Sequence, residues 1–242
     1  MTAHPETPPA RPSLELIAHR GAKRERPENT LGAFARAIEL GADALELDVH
    51  ATRDGVVVVH HDAVPKDVGV GGEPPLPIAQ STAQELGAFR VGGERIPTLA
   101  AVLALAEGRA TVYVEIKGVG IERAVADVVR ASGARCAIHS FDHEAIGRVR
   151  ALAPEIPRGL LFEHRGADML AALVEYDARD LWPHVPLVDE AVVEGAHRLG
   201  RRVVVWTVNS AADAARLAAT GVDALCGDDV PLLRDALRDS RR

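Results

Sequence analysis

With 242 residues, 47% of them hydrophobic, and a mean hydropathy of +0.01, the chain has the size and apolar content of one well-buried domain and needs no second. A net charge of −7 gives no general attraction for nucleic acid, and 3% aromatic content leaves little for stacking bases. The stretch MTAHPETPPARPS is polar and proline-rich without the apolar core of a secretory signal, and no uncharged apolar run of about 18 residues occurs. The sequence therefore predicts a disordered tail over 1–13 and a cytoplasmic protein without stable membrane insertion.

Taken in order, Leu14 to Ala18 reads as a first strand that ends in His19-Arg20-Gly21. Asn29 or Thr30 then caps a helix whose apolar positions Leu31, Phe34, Ala35 and Ile38 recur at helical spacing until Gly41. Ala44 to Val49 is the second strand. Asp54-Gly55 between apolar runs is a hairpin signal, so Val56 to His60 is expected to return antiparallel and deliver His61 and Asp62 to the same end. From Ala63 to about Ile96 the periodicity collapses among glycines and prolines, with a weak helical piece near Ser81 to Phe89. This insertion is expected to carry no core of its own and to act as a lid.

Thr98 caps the next helix, and Thr111 to Lys117 is a third strand. Thereafter helices alternate with strands near Cys136, Gly159, Asp180, Arg202 and Val222. The two cysteines, Cys136 and Cys226, lie in apolar runs and read as reduced core thiols. Eight near-continuous apolar strands alternating with helices predict an α/β fold. The architecture is a (β/α)8 TIM barrel over 14–239, with a small insertion, about 63–96, after the second strand and its hairpin.

The active end of such a barrel is at the C-terminal ends of its strands, and the unusual polar residues fall there: His19, Arg20, Glu46, Asp48, Glu115, Lys117, Ser140, Trp206 and Asn209. Glu46 and Asp48, one residue apart on a strand, share a face. Two like charges in one small space require a cation, a proton or a basic neighbour, unless the strand merely crosses a polar edge. Glu46, Asp48 and Glu115 together make an oxygen site suited to Mg²⁺ or Ca²⁺. Arg20 and Lys117 beside it point to an anionic group, a guanidinium being able to grip two phosphate oxygens. His19 and His61 supply an acid and a base. Trp206 is an aromatic wall or barrel packing, Asn29 is chiefly a helix cap, with bracing of the site as the alternative, and His184 stays open. His60, His139, His143, His164 and His197 read as core-edge or helix-surface residues.

The motifs His19-Arg20-Gly21, Pro27-Glu28-Asn29-Thr30, Glu46-x-Asp48, Thr52-x-Asp54-Gly55, His61-Asp62, Ile96-Pro97-Thr98-Leu99, Glu115-x-Lys117, Ser140-Phe141 and Trp206-Thr207-Val208-Asn209 stand in order from His19 onward. In that order and spacing the chain resembles the glycerophosphodiester phosphodiesterases. The resemblance implies a barrel with an insertion after His-Asp, and one divalent metal ion, Mg²⁺ or Ca²⁺, at Glu46, Asp48 and Glu115. It also implies His19 and His61 as the catalytic pair, Arg20 and Lys117 on phosphate, and a small-molecule glycerophosphodiester cleaved to sn-glycerol 3-phosphate and an alcohol. Two motifs depart: Lys66-Asp67-Val68-Gly69 stands where the family often has Arg-Thr-Thr, and Gly227-Asp228 where it has Thr-Asp. Both are read as remote from the metal and the acid/base pair. A Schiff-base aldolase using Lys117, a lyase that releases a cyclic phosphate, and a phosphate-binding barrel are the competing readings. The nucleophile is a water or the substrate's own glycerol hydroxyl, and nothing in the sequence fixes the alcohol or an oligomeric state.

Overall fold

The computed structural model describes residues 14–66, 72, 74–165 and 168–239. The tail expected over 1–13 lies outside them, as do 67–71 and 73 of the insertion. The strands are β1 (Glu15–His19), β2 (Ala44–Ala51), β3 (Val57–Val59), β4 (Arg90–Val91), β5 (Glu94–Arg95), β6 (Thr111–Ile116), β7 (Cys136–Ser140), β8 (Arg158–Phe162), β9 (Asp180–Pro183), β10 (Arg202–Val205) and β11 (Ala224–Gly227). The helices are α1 (Leu31–Glu39), α2 (Ala83–Leu86), α3 (Leu99–Ala106), α4 (Glu122–Ala131), α5 (His143–Leu152), α6 (Met169–Glu175), α7 (Glu190–Arg198), α8 (Ala211–Thr220) and α9 (Val230–Asp239). Short polar side chains start most helices, Thr30 and Thr98 among them as the sequence predicts. Thr30, Thr98, Asp142, Asp168, Asp189 and Ser210 each accept a hydrogen bond from the backbone N–H three residues on.

The strands β1, β2, β6, β7, β8, β9, β10 and β11 are parallel neighbours in that order, and β1 closes the barrel by pairing with both β2 and β11. Alternation along each strand then sorts the side chains into two cores. Leu45, Leu47, Val112, Val114, Ile138, Leu160, Leu181 and Val203 face outward and pack with helix residues such as Phe34, Leu103 and Val125. The opposite parity, Ile17, Ala44, Tyr113, Ala137, Leu161, Trp182, Val204, Ala224 and Cys226, packs without any helix residue and fills the barrel. Its floor is polar. The Tyr113 hydroxyl donates to Glu15 at 2.8 Å, and Arg202 joins Glu15 at 2.6 Å and Asp180 at 3.5 Å, which pairs the buried charges at the N-terminal end.

β3 runs antiparallel on β2 as the Asp-Gly signal predicts, with Gly55 at a φ of +83°. The insertion differs from expectation. Ile78, Leu86 and Phe89 pack on Val58 as a small core of their own, so the segment is seated by apolar burial as well as by turns. A hairpin that the sequence pattern did not reveal, β4–β5, then folds back onto the start of α1: Glu94 accepts from the Gly32 N–H at 3.0 Å, and a Cβ on Gly92 would lie 2.3 Å from Pro27. Among the described residues no helix is long and apolar enough to cross a membrane.

Candidate active site

The site forms where the inward parity continues past the apolar filling to the C-terminal ends of the strands. At the end of β1 the chain turns sharply, with Arg20 at a φ of +58° and Gly21 at +82°. A Cβ on Gly21 would meet the Ala33 backbone at 2.8 Å, so glycine is needed for this exit to pass so close to α1. The turn leaves His19 facing inward and brings Arg20 back over β2.

Parallel register assembles the carboxylates. Asp48 pairs with Glu115, and Glu115 in turn with His139, which places a histidine beside two acids. Asp48 is fully buried. Its Oδ2 accepts from Asn29 Nδ2 at 2.9 Å and lies 3.1 Å from Arg20 Nε, whereas its Oδ1 accepts no hydrogen bond and has Lys117 Nζ at 3.5 Å. Lys117 also sits 2.8 Å from Glu115. Burial, and then the Asp48 charge, push Glu46 up to about 7 and Glu115 up to about 8. Burial would raise Asp48 too, but Arg20 and Lys117 hold it below the ordinary carboxylate value.

His139 is buried with its ring stacked parallel on Trp182 at 4.3 Å, and its Nε2 lies 3.7 Å from Glu46 Oε1. Burial pushes its pKa down to about 3, which keeps the imidazole neutral and fit to be a ligand. Glu46, Glu115 and His139 each bring one donor atom within 4.8 Å of the others. Two carboxylates held near neutrality and an orphaned buried oxygen on Asp48 signal one deficit, a missing positive charge, so these residues fit a divalent cation. The donors are mainly oxygen, as expected, with one nitrogen that the sequence reading had assigned to the core edge.

The two site histidines are oriented alike. His19 Nδ1 lies 2.7 Å from Asp228 and its Nε2 3.9 Å from Glu46; His61 Nδ1 lies 2.7 Å from Asp62, which Lys66 also contacts at 2.9 Å. The Lys66 bond, then the His61 bond, hold Asp62 down to about 2. The pocket between them has a volume of about 290 Å³. One half is charged, lined by His19, Arg20, His61 and Lys117 around the carboxylates. The other half is apolar: Phe141 and Trp206 meet edge to face at 5.4 Å above Leu161 and Trp182, and the Trp206 indole is locked by donating to the Trp182 carbonyl at 2.9 Å. Glu163 also lines the pocket, and Lys117 Nζ lies 5.6 Å from the centroid of the Phe141 ring.

All eight residues singled out for roles come to this one end, and three others are placed differently from expectation. Thr30 is the helix cap, while Asn29, at a φ of +58°, braces Asp48 instead. His139 joins the acids; the signal was its parity with Glu115 on a neighbouring strand, which the sequence shows only once the register is known. Asp228, read as remote, touches His19 directly. Ser140 is structural, its hydroxyl donating to the Ile116 carbonyl at 2.8 Å and accepting from the Asp142 N–H. His184 packs against Trp206 at 5.1 Å.

Residues 19–232 match the glycerophosphoryl diester phosphodiesterase family. A glycerophosphodiester phosphodiesterase of Caldanaerobacter subterraneus is 33% identical over 240 residues, 92% of this chain and 97% of that protein. Among solved structures, a glycerophosphodiester phosphodiesterase from Agrobacterium tumefaciens superposes with a TM-score of 0.80 at 27% identity, covering 92% of this chain and 99% of that one. An Oleispira antarctica phosphodiesterase, solved with the product sn-glycerol-3-phosphate, superposes with a TM-score of 0.85 at 25% identity, covering 94% of this chain and 97% of the other. The match in sequence over most of the length, on the same barrel fold, makes this chain a member of the glycerophosphoryl diester phosphodiesterase family.

Proposed function

We propose that the hydrolysis of glycerophosphodiesters for which the family is named proceeds here by acid/base catalysis between His19 and His61, at a phosphate held by Arg20 and Lys117 over a divalent cation, and yields sn-glycerol 3-phosphate and an alcohol. The observation that carries this reading is the division of one pocket. Cations and histidines surround buried carboxylates on one side, and aromatic side chains line the other. A phosphodiester has a charged centre and two arms, and this pocket has a place for both kinds of surface. The product bound to the Oleispira enzyme supports the glycerol phosphate end.

Glu46, Asp48 and Glu115 would hold the cation, Mg²⁺ or Ca²⁺, with His139 Nε2 as a further donor. When bound, such an ion neutralises phosphate charge and lowers the pKa of a nearby hydroxyl. Arg20 and Lys117 fix the phosphate oxygens through charge-assisted hydrogen bonds. Each histidine keeps Nδ1 on a carboxylate and so has Nε2 for proton transfer at the substrate. Trp206 and Phe141 exclude water from the arm that lies against them.

Lys117 does not suit the Schiff-base reading. Burial lowers its pKa, but the charges of Glu115 and Asp48 outweigh this and raise it, so the amine stays protonated. The deciding experiment is turnover of a panel of glycerophosphodiesters, with products followed by ³¹P NMR, with and without chelator. Release of glycerol 3-phosphate that stops on chelation is expected. No release from any member, or full turnover by metal-free protein, overturns the reading.

A further inference from the structure

Asp228 follows β11, on the far side of the barrel seam from β1, and four contacts fix it. Its Oδ1 accepts from His19 Nδ1 at 2.7 Å and from Lys23 Nζ at 3.1 Å, and its Oδ2 accepts from Asn209 Nδ2 at 2.9 Å. Its own N–H donates to Asn209 Oδ1 at 3.0 Å. The side chain is only 13% exposed. Burial alone would raise its pKa, but the bonds and charges of His19 and Lys23 bring it down to about 2, so it is ionised across the neutral range. An ionised carboxylate can only accept, which puts the proton of a neutral His19 ring on Nδ1 and the lone pair on Nε2. That lone pair faces the carboxylate cluster, with Glu46 Oε2 at 3.9 Å. His61 is held by Asp62, its neighbour in sequence, and is one-third exposed, whereas His19 is 13% exposed.

From this geometry we infer that Asp228 is a positioning residue, which fixes the tautomer and aim of His19 and makes it the base. The inference rests on the proposed reaction. The O–H bond of the attacking hydroxyl breaks, its proton passes to His19 Nε2, and its electron pair forms the new O–P bond. The bond from phosphorus to the alcohol oxygen breaks, and that oxygen takes its proton from His61. Asp228 stays ionised and holds the imidazolium that His19 becomes. Lys23 and Asn209 hold Asp228 in turn, from the loop after β1 and the loop after β10. Asp228 is thus more than a clasp across the seam, and the two roles differ in what they predict.

The test is Asp228→Ala alone and in a His19→Ala background, with Asn209→Ala as a milder variant that loosens the carboxylate without touching His19. As a positioning residue, Asp228→Ala lowers kcat about 10²-fold with KM within about two-fold, and costs nothing further once His19 is gone. Asn209→Ala gives a smaller fall of the same kind. The ring nitrogens of His19, read by ¹⁵N NMR on Mg²⁺-loaded protein, report the Nδ1–H tautomer in the parent and lose it in Asp228→Ala. An equal loss of rate in the His19→Ala background, or an unchanged tautomer, overturns the inference. The NMR readout needs no turnover, so inertness of the parent on every glycerophosphodiester would count against the reaction while the positioning is still judged.

Discussion

Nε2 of His139 lies 3.7 Å from Oε1 of Glu46, on a buried ring that stacks on Trp182. A neutral imidazole beside two carboxylates is a better ligand for a transition ion than for Ca²⁺. We expect His139→Ala to weaken Mn²⁺ binding in calorimetry by about tenfold or more, and Mg²⁺ or Ca²⁺ binding by less. Equal losses for all three ions would show that His139 acts through packing on Trp182.

Removal of either site histidine should be costly to rate and cheap to fold. His19 is largely buried and His61 one-third exposed, yet neither belongs to the apolar filling. His19→Ala and His61→Ala are each expected to lower kcat about 10²–10⁴-fold with little change in melting temperature. Near-parent rates in either variant would remove that residue from the pair.

How much of this was legible in the sequence follows from what each signal depends on. The strands and helices showed through local periodicity and caps, so β2, α5 and the Asp54-Gly55 hairpin were placed within a residue or two. Glu46 and Asp48 are neighbours on one strand, and their shared face needs only the period of two. His139 and Asp228 could not be seen that way. Their partners, Glu115 and His19, lie on other strands, and which residue faces which is set by barrel stagger, a property of the closed sheet. The small core of the insertion is hidden from the sequence for a related reason. Its core is completed by Val58, a residue outside it, so the segment taken alone has too few apolar side chains to predict one.

Cation binding should also be visible in stability, with a sign fixed by the raised carboxylates. Glu46 at about 7 and Glu115 at about 8 bind protons in the folded chain that the unfolded chain releases near its ordinary value. Between about pH 6.5, above which a histidine such as His139 is neutral in the unfolded chain as well, and about pH 8, these two carboxylates make the folded state hold more protons, so the stability of metal-free protein falls as pH rises. A divalent ion takes the place of those protons, so its stabilising shift in melting temperature should be larger at pH 8 than at pH 6. A shift that is equal at both pH values would mean that these two carboxylates do not hold the ion.

The insertion is where substrate preference should be separable from chemistry. Its described part is held at two places: Ile78, Leu86 and Phe89 on Val58, and the β4–β5 hairpin on Pro27 and Gly32. The second anchor bears on the site, because Pro27 leads into Glu28, 3.1 Å from Arg20, and Asn29, 2.9 Å from Asp48. Gly92 has a φ of +54°, and a Cβ there would collide with Pro27, so Gly92→Ala should lift the hairpin off the loop without touching the apolar anchor. We expect a rise in KM and altered preference among alcohols, with melting temperature lowered by no more than a surface change of about 1 kcal/mol allows. Replacing 69–89 by a short linker should do the same and lower stability further, since it removes Ile78, Leu86 and Phe89. In both variants cation affinity should stay within about two-fold of the parent, because Glu46, Asp48 and Glu115 lie on β2 and β6. Unchanged kinetics across several glycerophosphodiesters, with the fold intact, would show the insertion to be passive and would leave alcohol preference to Phe141 and Trp206.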